Sequence, residues 1–112
     1  MNWIVLVRTK AERDLKEARD WYEGKRPGLG DEFLDEVAVA MSVLATVPER
    51  ERLYFRQFRR LLLRRFPYKV FYQIVGERVV VFRVLHGKQN HERQVRGLLA
   101  DGQNGIRAVT TA

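Results

Sequence analysis

One histidine and two upstream cations are the side chains in this sequence with the clearest potential for chemistry. His86 follows an apolar run and precedes a glycine, and Lys69 and Arg60 belong to a basic segment earlier in the chain. A neutral imidazole can accept a proton near neutral pH, and cations stabilise the charge that develops on a phosphate during cleavage. We expect the nearby cations Arg83 and Lys88 to disfavour the charged imidazole. His86, Lys69 and Arg60 are therefore the catalytic candidates if the protein cleaves RNA.

The alternative for His86 is a loop histidine that only hydrogen-bonds to the backbone, and His91 is a weaker candidate still. A metal site is not predicted. His86, His91 and Glu92 could supply three ligands, but the chain contains no cysteine, and no second carboxylate cluster lies near them. No glycine-rich phosphate loop follows a predicted strand. We therefore expect neither a metal nor a cofactor.

The positive charge of the chain is concentrated in one segment. The net charge is +7, and residues 52–76 contain seven basic side chains and no acid, whereas the remaining basic and acidic side chains balance. A localised positive surface attracts a polyanion, which could be RNA, DNA or an acidic protein segment. The alternative is a solvated strand edge whose arginines only provide solubility.

The first half of the chain has helical periodicity after a short strand. Residues 3–7 are β-prone, and Thr9 and Glu12 have the spacing of a capping box, in which each side chain satisfies a free backbone N–H group. A second helix is predicted from about Gly30 to Ala45 and ends before Pro48. Because the link between the two helices is short, we expect them to form an antiparallel hairpin.

The second half has strand periodicity. Residues 61–63, 68–75 and 79–85 are predicted as three successive strands, with a two-residue turn at Gly76 and Glu77. The predicted fold class is α+β: an N-terminal strand and a two-helix hairpin packed on one face of a mostly antiparallel sheet with a C-terminal three-strand meander. The opposite face is expected to be open and to carry the basic segment. We predict one domain over residues 1–100, with a short helix around 92–99, and a flexible tail over residues 101–112.

Length and composition restrict the class of protein. A chain of 112 residues without cysteine suits one domain with a modest core and is compatible with a reducing compartment. The sequence shows no signal peptide and no apolar run long enough to span a bilayer. These features predict a soluble, cytoplasmic protein.

Six motifs follow one another along the chain: AERDL at 11–15, WY at 21–22, PGLG at 27–30, FL at 33–34, RRFPYKVFY at 64–72 and VLHGK at 84–88. This set resembles the RelE/ParE superfamily, and within it the ParE-like, or plasmid-stabilisation, toxins of type II toxin–antitoxin systems. The resemblance covers residues 1 to 95 and implies the fold predicted above. It also implies a partner, an acidic antitoxin that neutralises the toxin.

The resemblance leaves two targets open. RelE-like toxins cut messenger RNA in the ribosome, whereas ParE-like toxins poison DNA gyrase and need no hydrolytic groups. Where the RNA-cutting branch has an arginine and often a tyrosine, this chain has Gln89 and Val95, which favours a gyrase inhibitor and growth arrest by that route. A ribosome-dependent mRNA endonuclease is the alternative, and a non-toxic nucleic-acid-binding module is a second one. The residues expected to bind the antitoxin or the target are Arg56, Arg59, Arg60, Arg64, Arg65, Tyr68, Lys69, Arg83 and Lys88.

Overall fold

The computed structural model describes residues 2–87 and, for the backbone alone, residues 106–109. Lys88 and the predicted helix around 92–99 lie outside the described residues, as do Gln89, His91, Glu92 and Val95. The described elements are β1 (Ile4–Arg8), α1 (Thr9–Lys25), α2 (Leu29–Thr46), a single 3₁₀ turn (Pro48–Arg50), β2 (Leu53–Phe55), β3 (Phe58–Leu62), β4 (Tyr68–Val75), β5 (Arg78–His86) and β6 (Ile106–Val109).

The strands form one sheet in the order β2-β3-β4-β5-β1-β6. Strands β2 to β5 are an antiparallel meander, and β1 lies parallel to β5 before β6 pairs antiparallel with β1. The predicted α+β architecture is therefore confirmed, but the meander has four strands rather than three. The additional strand, β2, forms a hairpin with β3, and Arg56 lies in the turn between them. Its φ of 52° is a left-handed conformation that a non-glycine residue adopts infrequently.

Strand β6 falls within residues 101–112, the segment that the sequence analysis assigned to a tail. Its register places Val5 opposite Val109 and Arg8 opposite Ile106, so four residues cover the outer edge of β1. The remaining residues of that segment lie outside the described part of the chain.

The predicted helical hairpin is present, but the predicted capping box at its start is wrong. Strand β1 continues directly into α1, so Arg8 occupies the N-cap position with extended backbone and makes no capping hydrogen bond, and Thr9 is already the first helical residue. The second helix begins after Gly28, whose φ of 89° lies in the left-handed region. The Glu23 carboxylate accepts hydrogen bonds from the N–H groups of Gly28 and Gly30 and so caps α2 from α1.

The main core fills the space between the helical hairpin and one face of the sheet. Its aromatic centre brings Tyr22 and Phe33 against Phe66 and Tyr68, with ring centroids 4.7 to 6.1 Å apart. Phe33 is fully buried, and burial of such a side chain contributes about 2–3 kcal/mol. This cluster joins α1 and α2 to β4 and to the loop that precedes it.

The opposite face of the sheet differs from the expected open surface. It carries a second buried cluster of Phe58, Phe71, Val80, Phe82 and Leu85, with Tyr54 and Phe55 packed against it. The reason is that β4 and β5 are apolar on both faces, as strands in the middle of a covered sheet are. Arg60 and Lys69 therefore lie beside an apolar cluster and not on a bare sheet.

In the described part of the chain, neither helix combines the length and the apolar character that crossing a bilayer would require.

Candidate functional site: a basic surface over β3 and β4

Arg60 and Lys69 lie on the same face of the sheet, on neighbouring strands. The β3–β4 register places Leu62 opposite Lys69 and Arg60 opposite Phe71. Because side chains alternate along a strand, all four project to the face that carries the second cluster. Neither cation forms an ion pair within residues 2–87. The register therefore places the two cations on one surface of the sheet.

Aromatic rings support the guanidinium groups at this edge of the sheet. Arg60 lies over the ring of Tyr54, 4.1 Å from its centroid, and Arg56 lies 5.4 Å from that of Phe55. Tyr54 in turn packs on Phe71, with ring centroids 5.6 Å apart. Cation–π contacts hold a guanidinium in place without neutralising its charge, so these cations remain available to an anion.

A cleft of about 360 Å³ opens beside this arrangement, lined by Glu51, Arg52, Leu53, Tyr54, Arg60 and Leu62. Leu53 and Leu62 are 59% and 57% exposed, which is unusual for leucine in strands. The cleft therefore combines positive charge with exposed apolar surface. We call Arg52, Arg56, Arg60, Arg64 and Lys69 the unpaired basic set, since none of them pairs with a carboxylate in the part of the chain that the structure describes.

Two of the arginines predicted to bind a partner donate hydrogen bonds to other residues of this chain. Arg59 Nη1 donates to the carbonyl oxygens of Glu49, at 3.3 Å, and Glu51, so it fastens the 3₁₀ turn to β3. Arg65 Nη2 lies 2.8 Å from Glu32 Oε1. Together with Arg26, Arg65 lowers the pKa of the Glu32 carboxyl. Arg59 and Arg65 therefore already have acceptors within the described residues, although the Arg65 side chain remains 57% exposed.

Arg83 was expected on the binding surface, but the structure places it in a nearly buried position. It lies at a bulge in the β4–β5 ladder, and its side chain is only 9% exposed. Its Nε and Nη2 donate to the two oxygens of Asp14 at 2.7 and 2.9 Å, and the Val84 N–H also donates to Asp14, at 2.9 Å. This bidentate, nearly buried ion pair between Asp14 and Arg83 joins α1 to β5. Arg83 is therefore a structural residue and not a surface cation.

His86 and Tyr68 lie on the other face of the sheet from Lys69. They are cross-strand neighbours, with rings in an edge-to-face contact 5.2 Å apart, whereas Lys69 is opposite Leu85. The structure therefore separates His86 from Lys69 and Arg60 and does not assemble the three catalytic candidates at one point. Tyr68 is half-buried and packs against the main core, so its side chain lies on the opposite face from that of its neighbour Lys69.

The surroundings of His86 are acidic rather than basic. His86 lines a cleft of about 390 Å³ together with Asp14, Glu17, Trp21, Tyr68 and Arg83. Burial raises the pKa of the Tyr68 phenol, and the negative charges of Asp14 and Glu17 raise it further. The expectation that like charges surround His86 is wrong for Arg83, whose charge is balanced by Asp14, and Lys88 lies outside the described residues.

Sequence reasoning missed Tyr54, Phe55 and Asp14. The signal for the two aromatic residues was available, because they lie within the basic segment, between Arg52 and Arg56, and can stack with its arginines. Asp14 gave no such signal, since its partner Arg83 is 69 residues away. Among residues 2–87 and 106–109 no group of three potential metal ligands converges.

A family model described as the ParE toxin of the type II toxin–antitoxin system parDE matches residues 5–91. The structure is similar to one from the chromosomal ParDE system of P. aeruginosa, with a TM-score of 0.65 and 19% identity, covering 71% of this chain and 90% of that one. It is also similar to one from the RelBE2 toxin–antitoxin complex of Mycobacterium tuberculosis, with a TM-score of 0.55 and 26% identity, covering 77% and 99%. No curated protein matches the chain.

Proposed function

We propose, because this chain belongs to the ParE toxin family of type II toxin–antitoxin systems, that it arrests growth by inhibiting DNA gyrase and that a cognate acidic antitoxin neutralises it. Membership of the family makes the chain a toxin of such a system. The target and the mode of neutralisation are what the proposal adds.

One observation carries the choice of gyrase over RNA. Cleavage of RNA requires a group that moves a proton at the ribose hydroxyl, next to cations that stabilise the phosphate. His86, the one imidazole among the described residues, projects from the opposite face to Lys69 and Arg60. A gyrase inhibitor acts by binding, so it needs the basic surface but no proton-transfer group beside it.

Two assays on the purified protein test this choice. We expect the wild-type protein and the His86→Gln variant to inhibit DNA supercoiling by gyrase to the same degree. We expect neither to cut a translated message in a primer-extension assay with ribosomes. Because His86 packs edgewise on Tyr68, a thermal melt must first show that the variant is folded. If the protein did not inhibit supercoiling by gyrase but did cleave ribosome-bound mRNA, the proposal would be overturned.

A second candidate function, ribosome-dependent mRNA cleavage, is favoured by one contact. The ring of Tyr54 lies directly below the guanidinium of Arg60, and a phenol is able to transfer a proton. If cleavage is observed, Tyr54→Phe should abolish it while leaving ribosome binding in place, since only the hydroxyl is removed. Cleavage that survives this change would assign the reaction to other residues.

The antitoxin partner is supported by the solved relatives, both of which come from toxin–antitoxin systems. The unpaired basic set offers charge complementary to an acidic segment, and the exposed Leu53 and Leu62 offer apolar contacts for it. An amphipathic acidic segment would satisfy both features of the cleft beside Arg60.

Charge-matched double variants test the antitoxin surface. Each exposed ion pair contributes at most about 1 kcal/mol, so Arg60→Gln with Lys69→Gln should weaken binding of a cognate antitoxin about tenfold. The loss should shrink as salt rises. The control is Arg13→Gln with Arg78→Gln, which removes the same charge from exposed positions elsewhere. Equal losses for both double variants would show that only net charge matters.

A further inference from the structure

The cleft between α1 and β5 has a chemistry that the proposed function does not use. It is lined by Asp14, Glu17, Ala18, Trp21, Tyr68, Arg83, Val84 and His86. It therefore combines two carboxylates with three aromatic rings on the face of the sheet that the helical hairpin covers. This composition is opposite in sign to the unpaired basic set on the other face.

The two carboxylates of the cleft differ in their partners. The Asp14 carboxylate accepts two hydrogen bonds from Arg83 and one from the Val84 N–H. Glu17 is exposed, one helical turn further along α1, and forms no ion pair within residues 2–87. The cleft therefore already holds one guanidinium and retains one carboxylate whose charge is not balanced.

An exposed indole forms part of the rim of the cleft. Trp21 is 57% exposed, which leaves most of its indole outside the core. Lys25 Nζ already lies 4.6 Å from the centroid of Trp21, so this ring accepts a positive charge from its own chain. Negative charge from Asp14 and Glu17 reaches Tyr68 across the cleft, where it contributes to the raised pKa of the phenol.

We infer that this cleft binds the guanidinium of an arginine side chain presented by a protein partner, with Glu17 as the ion-pair acceptor and Trp21 as the stacking surface. A planar guanidinium can stack on an indole and donate in parallel to a carboxylate, whereas an ammonium offers only a point charge. A volume of about 390 Å³ accommodates one long side chain. The site is independent of the gyrase proposal, because it lies on the other face from Arg60 and Lys69.

The test uses the full chain and a minimal probe, N-acetyl-arginine amide. His86 lines the cleft and is one of only two histidines, so its Cε1–H resonance, assigned with His91→Gln, reports binding by NMR. We expect a saturable shift with the arginine probe, a weaker one with N-acetyl-lysine amide, and none with the neutral isostere N-acetyl-citrulline amide.

A matched pair of variants identifies the acceptor. Glu17→Gln should weaken binding of the arginine probe about fivefold, the effect of one exposed ion pair. Asp35→Asn removes the same charge from an exposed position on α2 outside the cleft and should leave the affinity unchanged. Trp21→Leu should weaken binding without lowering the melting temperature, since the ring is largely exposed.

Three results would overturn the inference. An equal response to the arginine and citrulline probes would mean that the cleft recognises shape and not charge. Equal effects of Glu17→Gln and Asp35→Asn would reduce the interaction to net charge. A linear, non-saturating shift of His86 would show that no site exists. Each of these outcomes leaves the gyrase assays unaffected, so the two proposals fail separately.

Discussion

Replacing Asp14 by asparagine removes the charge that balances the guanidinium of Arg83 at the junction of α1 and β5. The carboxylate accepts hydrogen bonds of 2.7, 2.9 and 2.9 Å, and the two side chains are 11% and 9% exposed. The asparagine retains one oxygen acceptor but offers an amide donor where the second carboxylate oxygen was. The variant therefore leaves a nearly buried cation without its balancing charge.

The size of the effect follows from this burial. Removing one partner of a buried ion pair costs roughly 3–5 kcal/mol, because the other charge remains desolvated. Since the asparagine keeps one acceptor, we expect the lower end, about 3 kcal/mol. For a domain of this size each kcal/mol shifts the melting temperature by about 4–8 °C, so the loss should be at least about 12 °C.

Thermal unfolding followed by far-ultraviolet circular dichroism measures this loss. The control is Asp20→Asn on the same helix, where the carboxylate is 50% exposed and bonds Lys16 at 3.0 Å, so the melting temperature should hardly change. A double variant, Asp14→Leu with Arg83→Met, should recover only part of the stability, because apolar replacement of a whole buried pair is often neutral but the Val84 N–H loses its acceptor. If Asp14→Asn melted like Asp20→Asn, Arg83 would have to be well solvated and its assignment as a structural residue would be refuted.

The remaining predictions concern the hairpin and the C-terminal strand. Gly30→Ala places a Cβ 2.8 Å from the Arg19 carbonyl oxygen and should destabilise by about 1–3 kcal/mol, whereas Gly24→Ala meets nothing within 4 Å and should stabilise by about 0.5–1 kcal/mol in urea titrations. Hydrogen bonds from the N–H groups of Gly28 and Gly30 lower the pKa of the Glu23 carboxyl. The ionised carboxylate therefore stabilises the fold fully above the ordinary glutamate pKa, and this stabilisation is lost as the pH falls through the lowered pKa of the folded state. The difference in melting temperature between the wild type and Glu23→Ala should accordingly vanish in acid. Deleting residues 101–112 removes β6 from the edge of β1 and should leave a cooperative but less stable fold; a non-cooperative melt would contradict this.

The helical hairpin could be predicted because its apolar spacing and its turn residues are local signals. Strand β2 could not, since it has only three residues and its turn uses Arg56 in a left-handed conformation that nothing in the sequence marks. The prediction of a capping box at Thr9 and Glu12 was wrong although the two residues have the right spacing. Strand β1 continues into α1 without a loop, so Arg8 and not Thr9 occupies the N-cap position.

The candidate site was predictable in its charge and not in its pairings. The exclusion of acids from residues 52–76 is visible in the sequence, and the unpaired basic set comes from that segment. The ion pairs of Arg65 and Arg83 connect residues 33 and 69 positions apart, which only the fold brings together, and that of Arg83 is nearly buried. The separation of His86 from Lys69 depends on which face each residue occupies, and a shift of one residue in the β4–β5 register would reverse it.

The dependence of toxicity on the basic surface tests the central claim most directly. Growth after induced expression without antitoxin should be compared for the wild type, His86→Gln, and Arg60→Gln with Lys69→Gln, at matched levels of folded protein. We predict that His86→Gln arrests growth like the wild type and that the double variant does not. A toxic double variant together with a harmless His86→Gln would show that the basic surface is dispensable and that the chemistry lies on the other face of the sheet.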